Sequence, residues 1–117
     1  MEIIDAKAHA ACKAAIQSVS DTLYVLSGKW KLPILVVLGT GSKRFGQMTK
    51  EIPNITERML SKELRELEQN QLVTRTVFDS VPIVVKYSLT EYGHSLDKVI
   101  EELKIWGMEH RKRLMCN

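Results

Sequence analysis

The stretch NITERMLSKELRELEQNQLVTR, Asn54 to Arg75, decides how the chain is read. Leu60, Leu64 and Leu67 recur at helical spacing, and Thr56 stands where an N-cap hydroxyl belongs. A helix is therefore expected over Thr56–Asn70. Drawn as a wheel at about 100° per residue, Leu64 and Leu67 fall within about 40° of Leu60. Arg65, Arg58, Gln69 and Lys62 fall between about 140° and 200°, with Ser61 near 100°. Glu57, Glu63 and Glu68 lie on the flanks and Glu66 borders the outer arc. A solvated face usually mixes signs to gain i,i+4 pairs. Segregated cations point instead to a polyanion, although so short an arc can also segregate by chance.

The neighbours of this helix set its context. KRFGQMTKEIP before it carries Phe45, Met48 and Ile52 on one face, and Pro53 ends that helix because the residue before a proline avoids the α region. After it, LVTRTVFD and IVVKYSL read as two strands around the loop DSVP, a hairpin. Upstream, KWKLPILVVLGTG reads as a buried helix, starting near Leu32 or kinked at Pro33. The expected fold is mainly α with a small β-hairpin, a winged helix-turn-helix domain in which residues 43–70 form the helix-turn-helix and 72–90 the wing. In such a pair the second helix enters the major groove.

The ends of the chain read as association surfaces. Alanine-rich Ile3–Ile16 favours a helix, and Ser18 or Ser20 could cap a short second one closed by Gly28. Thr90 should cap a long final helix over 91–113, with Glu91 in its first turn. Leu96, Val99, Leu103, Trp106 and His110 alternate by three and four, a heptad-like seam. With residues 1–20 they are expected to build a homodimer. The whole chain, 1–117, is expected to form a single domain.

Composition excludes several classes. The 117 residues suit one domain, 44% hydrophobic and 26% charged, and a net charge of +3 permits a polyanionic partner without demanding one. The longest apolar run, LPILVVLG, is far short of a membrane span. Glu2, Asp5 and Lys7 interrupt the N-terminus where a signal peptide needs an apolar run. The expectation is a cytoplasmic, soluble protein with free thiols at Cys12 and Cys116. Cys12, in its alanine-rich helix, reads as a small buried apolar residue in preference to a thiol sensor.

The candidate contacts are DNA-like in type. Arg reads guanine, Gln reads adenine, and Ser and Thr take a base edge or phosphate. Arg58, Ser61, Lys62 and Arg65 would face the groove, with Thr56 and Gln47 supporting the backbone. Further cations lie at Lys29, Lys31, Lys43, Arg44, Lys50, Arg75 and Lys86. Catalytic readings are poor. His9, His94 and His110 have no metal-ligand spacing, GTGSK is too short for a P-loop, and no GxSxG is present. No enzyme activity, metal or cofactor is expected. The rivals are a winged-helix protein-interaction module and, behind it, a thiol-dependent redox enzyme using Cys12.

LSGKWKLPIL, RFGQM, ITERMLSKELRELEQNQLVTR, VPIVVKYSLTEYG and WGMEH occur in an order and spacing that closely resemble the HxlR family of winged-helix transcriptional regulators, relatives of MarR-type regulators. The resemblance spans about Thr22 to His110. It implies a cytoplasmic homodimer on double-stranded DNA at a pseudo-palindromic operator, with Thr56–Asn70 as recognition helix and the terminal helices as dimer interface. Trp30 of its GKW motif reads as core, and Lys29 either approaches DNA or caps local structure. This chain has Gln17 where many relatives carry a cysteine, and Ile83 and Val84 where relatives often carry Pro-Arg at the wing tip. A cavity between the terminal helices and the core is open to an unknown small-molecule effector, but no residue pattern specifies one.

Overall fold

The Leu60–Leu64–Leu67 stripe lies at the centre of the molecule, with those side chains fully buried. The computed structural model describes residues 2–116; Met1 and Asn117, the two ends of the expected domain, lie outside it. The elements are α1 (Glu2–Val25), α2 (Lys31–Leu38), α3 (Phe45–Glu51), α4 (Glu57–Gln69), β1 (Val73–Phe78), β2 (Val84–Leu89), α5 (Glu91–His94) and α6 (Asp97–Met115). Ile34, Leu35 and Leu38 of α2 pack with Met48, Ile52 and Ile55 around the α4 leucines, and Leu72, Val73 and Leu89 close the core at the base of the hairpin. Each such side chain contributes about 1.5–3 kcal/mol by leaving water. Pro33 sits in the first turn of α2, where its missing N–H costs no intrahelical bond.

β1 and β2 pair antiparallel with Val73 opposite Leu89 and Phe78 opposite Val84. Tyr87 stands opposite Arg75 in this ladder, and its N–H and C=O turn to the other edge, where they pair with Lys43 at 2.8 and 2.9 Å. The segment leading into α3 is thereby tied to the wing.

The end of α4 is built as a Schellman turn. Leu72 N–H reaches Leu67 O at 3.0 Å, Gln71 N–H reaches Glu68 O at 2.9 Å, and Gln71 takes the left-handed conformation at φ 62°. Thr90 then locks this turn from the far side of the wing, donating its hydroxyl to the Gln71 carbonyl at 2.6 Å while accepting from Gly93 N–H.

Three expectations for the terminal helices are corrected. There is no break near Ser18 or Ser20; α1 is a single helix to Val25, beyond the expected boundary at residue 20. The hydroxyls of Ser18 and Thr22 donate to the carbonyls four residues back, at 3.1 and 2.9 Å, so they serve the helix interior and cap nothing. The long final helix is two. Thr90 caps only the short α5, after which Ser95 and Leu96 bond three residues back, a tightened turn that separates α5 from α6. Gly93 permits the close approach of α5 to Leu72, because a Cβ there would clash with the Leu72 carbonyl. Cys12 is exposed, not buried, because α1 stands away from the domain body.

The terminal helices give the chain an extended outline. Its radius of gyration is 18.4 Å, against about 13 Å for a compact chain of this length.

Gln71 occupies a conformation that side chains disfavour by about 1–2 kcal/mol. Gln71→Gly should raise stability in urea unfolding by about 0.5–1 kcal/mol, the relief of strain exceeding the lost chain stiffness. Gly93→Ala should lower it sharply, since backbone must move to admit the methyl group.

Candidate nucleic-acid interface

Thr56 starts α4, accepting from Met59 N–H at 3.1 Å, and the leucine stripe turns the opposite arc outward. Arg58, Ser61, Lys62 and Arg65 are all exposed there and together line one shallow depression of about 380 Å³. The arc drawn from the sequence exists as a surface.

Its electrostatics depend on a cluster beneath it. The Lys31 ammonium, 4% exposed as a residue, donates to Glu63 at 2.7 Å, to Glu66, and to the Ser27 carbonyl at 3.3 Å. All three of its protons are used. Burial alone would lower the Lys31 pKa, but the hydrogen bonds and charges of Glu63 and Glu66 outweigh that and hold it above 10.5. The Lys31 hydrogen bond, helped by the charges of Lys31 and Lys62, pulls the Glu66 carboxyl below its ordinary range against some desolvation. Two carboxylates of α4 are thus turned toward α2. This corrects the place of Lys31 among the outward cations: it is a buried counter-ion. Lysine at the head of an otherwise apolar helix, and Glu63 bordering the leucine arc, were the signals available for it.

The other candidates are distributed unevenly. Lys29 is exposed and lies over the Trp30 ring at 4.8 Å, while Trp30 packs against the core. Lys43 is half-buried and bonded to Glu51 at 3.3 Å, so its charge is partly spent. Gln47 accepts from Arg44 N–H at 2.8 Å through its side chain, a capping role at the start of α3. Arg44 and Arg75 are exposed. Lys86 is half-buried with its ammonium 5.9 Å from the Phe78 ring.

The expected dimer seam divides in the same way. Leu96 packs against its own core together with Ile100. Val99, Leu103 and Trp106 are 42%, 50% and 68% exposed, and His110 stacks on Trp106 at 5.0 Å. On α1, Ile16, Val19 and Leu23 form a matching exposed stripe. Between α2 and α6 runs an open apolar groove of about 510 Å³, lined by Leu35, Val36, Ile100 and Leu103. Among the described residues no group of His, Cys, Asp and Glu could hold a metal ion. Among the described residues no helix is long and apolar enough to cross a membrane.

A three-helix core with a hairpin behind the second helix of its pair defines a winged helix-turn-helix protein. The pattern of the HxlR-like helix-turn-helix family matches residues 25–115, and the chain belongs to that family. It is 44% identical over 97 residues to the helix-turn-helix-type transcriptional regulator YtcD of Bacillus subtilis, covering 83% of this chain and 77% of YtcD. It is 43% identical over 88 residues to the regulator YodB of the same organism, covering 74% and 79%. Among solved structures, the redox regulator HypR in its reduced form superposes with a TM-score of 0.79 at 41% identity, over 86% of this chain and 99% of that one. The family and these relatives are transcriptional regulators, not enzymes.

Removing the ammonium should leave Glu63 as an unpaired buried charge, so Lys31→Met should cost about 3 kcal/mol in chemical unfolding. Replacing both partners, Lys31→Met with Glu63→Leu, should recover most of it. The pH dependence follows from the directions of the two shifts. Glu66 stabilises the fold above its unfolded value near 4.5, and that contribution is lost as pH falls through its lowered folded value. Lys31 contributes fully below 10.5 and loses its part as pH rises beyond its raised value. Glu66→Gln should therefore flatten the acid limb of a stability profile and leave the shape near pH 7 unchanged.

Proposed function

We propose that the protein is a homodimeric, sequence-specific transcriptional regulator that binds a pseudo-palindromic operator through α4. The observation that carries this reading is the exposed Arg58–Ser61–Lys62–Arg65 surface, from which Glu63 and Glu66 are drawn away by Lys31. A patch whose four side chains carry three cations and no carboxylate attracts phosphates, and its arginines match the acceptor pair of guanine. In this reading Arg58 and Arg65 reach base edges, and Ser61 and Lys62 hold base or backbone. Thr56, Arg44, Lys29, Arg75 and Lys86 bind phosphates around them. Lys43 and Gln47 act mainly by holding the α3 entry in place, since their side chains already have partners.

The homodimer is supported by the exposed apolar stripes of α1 and α6, which a lone chain leaves in water. Val99, Leu103, Trp106 and His110 form its α6 half. Two recognition helices should then meet successive major grooves, about 34–36 Å apart or a multiple of that.

Selection of bound sites from random duplex DNA should return an inverted repeat. Combined Arg58→Ala, Lys62→Ala and Arg65→Ala should abolish its selective binding and flatten the salt dependence by up to about three units of slope per protomer. Unchanged binding by that variant would refute the recognition surface. Trp106→Glu should convert the dimer to monomer in sedimentation and weaken operator binding with it, because a charge would replace an aromatic anchor.

A further inference from the structure

Side chains three and four residues apart meet on a helix surface, which gives Lys62 four neighbours along α4: Arg58, Met59, Arg65 and Glu66. Only Glu66 carries a carboxylate. Its side chain is 39% exposed, so it has room to move. Its carboxyl is held below the ordinary range first by the Lys31 hydrogen bond, and the charge of Lys62 adds to that pull from across the helix surface. Yet among the described residues neither Lys62 nor Arg58 nor Arg65 forms an ion pair. Glu66 turns away to Lys31 of α2, whose buried ammonium is also bound to Glu63 at 2.7 Å.

Resting on the regulator reading above, we infer that Lys31 is a positioning residue for DNA binding: it keeps Glu66 from pairing with Lys62, and so leaves the Lys62 charge free for a phosphate. Three observations carry this. Two ammonium groups compete for one carboxylate, and the buried one holds it, because water and salt weaken an exposed pair far more than a shielded one. The Lys31 ammonium cannot follow Glu66 outward, since the Ser27 carbonyl and Glu63 fix it in place. Glu66 must therefore come to it. The result is visible on the surface: Glu66 lines a separate depression with Lys31, Gln69 and Asn70, and takes no part in the one lined by Arg58, Ser61, Lys62 and Arg65. Lys31 touches no DNA in this arrangement and acts only through where it keeps a neighbouring charge.

Full-length variants are compared in salt-titrated binding to an operator obtained by site selection. Lys31→Met with Glu63→Leu removes one charge of each sign, so the net charge of the protein is unchanged while Glu66 loses its partner. This double variant should bind several-fold more weakly, with a salt slope lower by about one per protomer. Adding Glu66→Gln in that background should restore affinity and slope, because an amide cannot neutralise Lys62. In the wild type, Glu66→Gln should change either little, since Lys31 already withholds the carboxylate, and Lys62→Ala should lower the slope by about one per protomer. These two single variants keep the Lys31–Glu63 pair and report even where the double variant fails to fold. A large gain in affinity from Glu66→Gln in the wild type would mean that Glu66 already acts on the exposed arc, and would overturn the role of Lys31. An unchanged slope in Lys62→Ala would do the same, since no free charge would then be there to protect. So would a double variant that binds like wild type, or one whose weakness Glu66→Gln leaves uncorrected, the mark of a displaced helix and not of a released charge. Each of these failures leaves the regulator reading standing, because wild type still binds. If wild type selects no duplex site, the regulator reading fails and takes this role of Lys31 with it.

Discussion

The ammonium of Lys31 is the charge on which the arrangement of α4 depends. It joins α2 to α4 across 32 residues of sequence and neutralises two carboxylates that would otherwise lie near the outward arc. A hydrophobic stripe can orient a helix, but it leaves rotation about the axis loosely determined. Two charge-assisted hydrogen bonds to one nitrogen fix that rotation more narrowly, because they are short and directional. Such a buried cluster adds little net stability compared with apolar packing. What it contributes here is sorting: Glu63 and Glu66 are drawn toward α2, while Arg58, Lys62 and Arg65 stay exposed on the other side of α4.

The same economy is visible around the hairpin. Tyr87 pairs with Arg75 on one side and Lys43 on the other, so the approach to α3 and the wing share one short sheet. Thr90 then ties the end of β2 to the Gln71 carbonyl. The two helices of the pair, the wing and the exit toward α6 are therefore linked by backbone bonds, and the exposed side chains of α4 stand on a stiff base. Preorganisation of this kind reduces the ordering cost of binding.

Much of this was legible from local pattern. Leu60, Leu64 and Leu67 marked the buried face of α4; Thr56 and Pro53 marked its start and the end of the helix before it, and the alternation after Leu72 marked the hairpin. These signals lie within a turn or two of the residues they govern. The failures share the opposite property. Ser18 can cap a helix or bond back within one, and sequence alone does not choose. The division between α5 and α6 lies at the turn where Ser95 and Leu96 bond three residues back, and no break in the apolar spacing announces it. Lys31 looked like a surface cation because its partners lie on another helix. Cys12 was assigned to the interior because apolar neighbours suggest burial, yet its helix stands clear of the body. The exposure of the α4 arc as one group follows from the leucine spacing, whereas the partners of Lys43 and Gln47 depend on how the turn into α3 folds, which local pattern does not reveal.

The tightened turn at Ser95 and Leu96 has a mechanical consequence. The 19 residues of α6 make a rod about 28 Å long, and its root is bolted through α5 and Thr90 to the C-terminal end of α4. A swing of about 10° at that root carries the far end of the rod through about 5 Å. If two such rods are clasped together, the motion runs in reverse: the clasp stays still and the reading heads travel. The separation of the two heads would then be a property of a two-residue elbow, and a change there would alter it without any change on the exposed arc of α4.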